Sequence, residues 1–74
     1  MNRDKLIKFY RNKICIIYKE NGEQKIVWFN KLSEAQDFQE SGAVIVSFVN
    51  LKHVNSEKLV LEFLDSLIFD GYNL

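Results

Sequence analysis

Proline is absent from this chain, and cysteine and histidine occur once each. A single cysteine cannot staple a monomer, which excludes a disulfide framework and suits a reducing, cytoplasmic setting. His53 and Cys15 together supply too few nitrogen and sulfur ligands for a structural zinc site. No metal or cofactor is therefore expected. A Cys15–His53 nucleophilic pair would need the fold to bring the two together. A cysteine inside an apolar strand reads instead as a small core residue with an inert thiol. Ser47, Ser56 and Ser66 lack a nucleophile-elbow context. The glycines, Gly22, Gly42 and Gly71, each fall at a turn or a helix end, so no phosphate-cradling loop exists. No apolar run approaches a membrane span and nothing resembles a signal peptide, so no membrane association is expected. So short a chain has little room for a substrate pocket. The reading is a non-enzymatic protein.

What is present starts with a hairpin. Ile14-Cys15-Ile16-Ile17-Tyr18 and Ile26-Val27-Trp28-Phe29 flank Asn21-Gly22. Asn-Gly between strand-like runs signals a type I′ turn, which needs two residues that accept positive φ. A two-residue loop fixes the register from Glu20 opposite Glu23 to Ile14 opposite Phe29. Alternation then places Ile14, Ile16, Tyr18, Val27 and Phe29 on one face and Cys15, Ile17, Ile26 and Trp28 on the other. An ordinary half-buried hairpin is apolar on one face only. The first face holds more apolar volume and is the expected main core. The Cys15 face is then the expected contact surface. Glu20 and Glu23 oppose like charges, which Lys19 and Lys25 would relieve.

The remaining elements follow from a change of period. Asn2 to Arg11 reads as a short amphipathic helix capped by Asn2, with Leu6, Ile7 and Tyr10 inward; an extra strand over Leu6 to Tyr10 is the alternative. Ser33-Glu34-Ala35-Gln36 fits a capping box opening a helix over Glu34 to Glu40, with Ala35 and Phe38 inward and Gly42 as its stop. Ala43 to Val49 is apolar on both faces, as a central strand reads. Strand, helix and strand would form a crossover with the two strands parallel, the third strand lying beside either strand of the hairpin. A last helix starts near Asn55 or Ser56, with Val60, Phe63, Leu64 and Leu67 as its core stripe and Gly71 as its end. Leu61, Ile68, Phe69 and Tyr72 lie outside that stripe. The expected fold is a single α+β domain over residues 1–74. Its order is α-β-β-α-β-α, and its three-stranded mixed sheet is built on the hairpin. The second and third helices share one face, and the first partly covers the other or lies at an edge.

Net charge is zero but unevenly placed. Residues 1–31 carry eight basic and three acidic residues, a net +5, and residues 32–74 carry two and seven, a net −5. Such halves can attract within the fold, between chains, or toward a charged partner. The basic half, with Lys5, Lys8, Arg11 and Lys13 near aromatic rings, raises nucleic-acid binding as an alternative. Zero net charge opposes it, because phosphate contacts supply most such affinity.

The surplus of apolar surface points to a small protein-binding module, an inhibitor or adaptor directed at another protein. A phage or mobile-element product acting on a host protein would fit this character. Homodimerisation would use the same surface. The expected contact residues are Ile17, Ile26, Trp28, Glu62, Asp65, Phe69 and Tyr72.

Overall fold

Asn21 and Gly22 both hold positive φ, 54° and 82°, as the type I′ turn requires. The computed structural model describes residues 3–74, and the turn joins β1 (Ile14–Glu20) to β2 (Glu23–Phe29). The register runs from Glu20 opposite Glu23 to Ile14 opposite Phe29, the pairing that a two-residue loop dictates. Lys25 Nζ donates to Glu20 Oε1 at 2.9 Å, relieving the acidic pair beside the turn. The other elements are α1 (Arg3–Tyr10), α2 (Leu32–Glu40), β3 (Val44–Asn50), a 3₁₀ turn (Leu51–His53) and α3 (Glu57–Phe69). The first segment is thus a helix; its expected Asn2 cap lies outside the described residues.

Strand order is β2-β1-β3, with β1 antiparallel to both neighbours. β2 and β3 consequently run parallel to each other, as the strand–helix–strand unit implies, but β1 separates them. Every ladder is therefore antiparallel and the sheet is not mixed. β3 is an edge strand despite its strand-centre composition. A bulge interrupts its pairing with β1 between Ile17 and Tyr18.

Helices cover both faces. α1 and α3 close over the Cys15 face, where Leu6, Tyr10, Cys15, Leu51, Val60, Leu64 and Leu67 form the larger buried cluster. α2 lies over β1 and β2 on the other face, sealing Ile14 and Ile16 beneath Ala35. Two expectations are corrected here. α2 and α3 do not share a face, and the main core is the Cys15 side. The reason is helix supply: α3 alone brings three buried aliphatic side chains, whereas α2 buries only Ala35.

Helix ends show one further departure. α2 starts at Leu32 with Lys31 as its N-cap and no side-chain cap bond. Its first bond, Ala35 N to Lys31 O at 3.2 Å, puts Ser33 inside the first turn, so the expected capping box does not form. α3 begins as expected at Ser56, whose Oγ accepts from Leu59 N at 3.4 Å. Beyond α3, Gly71 holds φ 98°. Gly71 N donates to Ile68 O and Tyr72 N to Leu67 O, each at 3.0 Å, the Schellman pattern.

Candidate interaction surface

The outward side of α3 is where apolar surface remains. Its buried stripe is Val60, Leu64 and Leu67. Phe69 falls on the opposite side at helical spacing, beside Glu62 and Ser66, and is 90% exposed. Leu59 and Ile68 are also about half exposed. Helical phase alone turns Phe69 outward; the Schellman turn then closes the helix at Asp70 and sends Tyr72 back toward the core.

The expected contact set divides. Glu62 and Phe69 are exposed on α3. Asp65 is half-buried and accepts from Arg3 at 3.3 Å. Tyr72 packs on the larger core, with its hydroxyl 3.5 Å from Gln24 Oε1. Ile17, Ile26 and Trp28 turn inward against the same core, and Tyr10 lies 4.4 Å from the Trp28 ring. The hairpin face proposed as the contact surface is thus roofed by α1 and α3, because two helices are available to cover it.

The basic residues do not converge on one free patch. Arg11 donates to Glu57 Oε1 at 2.8 Å. Lys13 donates to Asn30 Oδ1 at 2.7 Å and sits 4.8 Å above the Phe9 ring. Lys52 also reaches Asn30, through its carbonyl. Lys5 and Lys8 remain exposed on α1. The Arg3–Asp65 and Arg11–Glu57 pairs join the basic front to the acidic back, so part of the charge asymmetry is satisfied within the fold. Lys25 is held above its ordinary pKa by its hydrogen bond to, and attraction from, Glu20.

Groups considered for chemistry lie apart. Cys15 is 1% exposed, and burial pushes its thiol up to about 12. His53 is exposed in the 3₁₀ turn, so no thiolate–imidazole pair assembles. Among the described residues no group of three or more His, Cys, Asp or Glu side chains could hold a metal ion. An open cleft of about 390 Å³ lies between the ends of β1 and α2 and the start of β3, lined by Tyr18, Lys19, Glu20, Phe38, Ser41 and Val44, among others. Its hydroxyl from Ser41 is committed to the Phe38 carbonyl at 2.6 Å. Also among the described residues, no helix is long and apolar enough to cross a membrane.

Sequence reasoning missed Val44 and Val46, 61% and 47% exposed on β3. The signal available was the alternation itself, which says nothing about strand order.

The architecture is that of a small α+β protein: a three-stranded antiparallel sheet with helices on both faces. Comparison with protein-family models, curated proteins and solved structures finds no match for this chain.

Proposed function

We propose that this chain is a non-enzymatic binding protein, an inhibitor or adaptor that engages another protein through the outer side of α3. The exposed Phe69 carries the reading. An aromatic ring held in water on an ordered helix, ringed by polar groups, matches the anchor-and-rim arrangement in which interfaces concentrate their energy. Glu62, Asp65 and Asp70 lie near it in sequence and on the acidic half. The partner that fits is a protein with an apolar pocket bordered by Lys or Arg. The single, buried thiol is compatible with a reducing, cytoplasmic setting.

The experiment is a paired capture from the native host lysate with the wild-type chain and Phe69→Ser. Phe69 is so exposed that the substitution should leave the melting temperature within a few degrees. A protein held stoichiometrically by the wild type and recovered at least about tenfold less by Phe69→Ser supports the reading, since an aromatic anchor contributes about 2 kcal/mol or more. Equal recovery by both, or no specific recovery by either, overturns it.

A further inference from the structure

The sheet has two edges, and they are treated differently. On β2, the half near the turn carries Glu23 and Lys25, which discourage pairing with another strand. In its far half Trp28 packs against Tyr10 and Phe29 against Phe38, on the two faces of the sheet. On β3, no charged residue occurs between Glu40 and Lys52. Val44 and Val46 are exposed, and α2 lies over β1 and β2 rather than over β3. Leu51 N donates to Lys13 O at 3.0 Å. By the alternation of an antiparallel ladder, Val49 and Ser47 then also face β1. Phe48 and Asn50 therefore turn their N–H and C=O groups to the open edge. The bulge at Ile17/Tyr18 blunts the strand near Val46 but leaves Ser47 to Asn50 in regular register.

We propose that β3 is a self-association edge: two copies of this chain join antiparallel through β3, merging their sheets into one of six strands. The occupant is a second copy because the edge is complementary to itself. A twofold axis sets this strand against its own uncharged, β-branched sequence, with no like charges opposed and no second surface required. The charge asymmetry of the chain stays outside the contact, since the charged residues lie beyond both ends of the strand. Lateral pairing also brings together the exposed Val46 and the half-buried Ile45 and Phe48 of the two copies. This surface is separate from the α3 side bearing Phe69, so the proposal stands independently of the functional reading above.

A contact of one edge strand lies at the small end of interfaces, below about 1,200 Å² in total. Its dissociation constant is expected on the order of tens of micromolar. Sedimentation equilibrium of the purified full chain, from about 5 to about 500 µM, brackets that value. The expected result is a monomer–dimer equilibrium weakened at least about tenfold by Val46→Lys, which installs the guard that edge strands commonly carry. Phe69→Ser should leave it unchanged. Val44→Lys serves as the second variant should the bulge not tolerate lysine. Hydrogen exchange at the Phe48 amide should slow as concentration rises. A wild type that stays monomeric throughout, or a dimer indifferent to both lysine variants, overturns the proposal. So does a dimer dissolved by Phe69→Ser instead.

Discussion

The two faces of the sheet share the same strands and end in different environments. On one, Cys15 is sealed under α1, α3 and Leu51 within a large buried cluster. On the other, Ile14 and Ile16 lie beneath Ala35 of α2, and the rest of the cover is half-buried aromatic side chains: Tyr18, Phe29, Phe38 and Phe48. The strand residues of this second face carry more apolar volume, yet it has the thinner core. Strand composition thus measures how much cover a face needs, while the length and stripe of the helices decide how much it receives. In so small a domain the supply is limited, and Val44 and Val46 of β3 stay exposed.

The contrast makes a direct prediction for truncation of fully buried residues. Leu64→Ala, in the cluster closed by two helices, should destabilise by about 4 kcal/mol, because rigid neighbours cannot refill the cavity. Ile16→Ala should cost nearer 2.5 kcal/mol, because Tyr18 and Phe38, whose rings already meet at 4.9 Å, can settle into the space. Urea unfolding of both variants at one temperature provides the comparison. An Ile16→Ala cost equal to or above that of Leu64→Ala would show that the faces are equivalent cores.

Local chemistry was readable in the sequence; the choice between faces was not. The turn residues Asn21 and Gly22 set the hairpin register residue by residue, because side-chain period and loop length leave one solution. Gly42 and Gly71 marked the helix ends because positive φ is inexpensive only for glycine. Which face α2 would take was invisible, since Ala35 and Phe38 could pack on either side. The strand order was hidden for a related reason. β3 is apolar on both faces, as a central strand is, although its outer edge is open. The candidate site divided along the same line. Phe69 was placed outward by helical period, whereas Trp28 and Ile17 required knowing where α1 and α3 would lie. Ser33 misled because a capping sequence describes only local options. The chain instead turns into α2 directly after Asn30, which Lys13 and Lys52 both hold.

Burial of Cys15 gives a second, smaller measure of how dry the two-helix face is. Its thiol ionises near the ordinary value of 9.0 when unfolded and is held up to about 12 when folded. Below pH 9 both states keep the proton, and this contribution to stability is fully present. As pH rises toward the folded value, the unfolded state releases its proton first, and stability falls by about 1.4 kcal/mol per pH unit. The slope of unfolding free energy between about pH 9 and about pH 10.5 should therefore be steeper in the wild type than in Cys15→Ala by roughly that amount. Equal slopes would mean that water reaches the thiol and that the face is less closed than its packing implies.

The smallest expected effect concerns how α1 is held. α1 reaches α3 through Arg3–Asp65 and Arg11–Glu57, ion pairs whose side chains are largely in water. Its Leu6 and Tyr10 are buried in the shared core. Exposed pairs contribute about 0.2 to 1 kcal/mol each, so packing and not charge must hold the helix. A double-mutant cycle of Arg11→Gln and Glu57→Gln should give a coupling of about 0.5 kcal/mol, shrinking as salt is raised. Leu6→Ala should cost several times more, about 2 kcal/mol or above. A coupling that matched the Leu6→Ala loss and persisted in high salt would reverse that order. The opposed charges of the two halves, rather than the apolar roof over Cys15, would then fix α1 to the sheet.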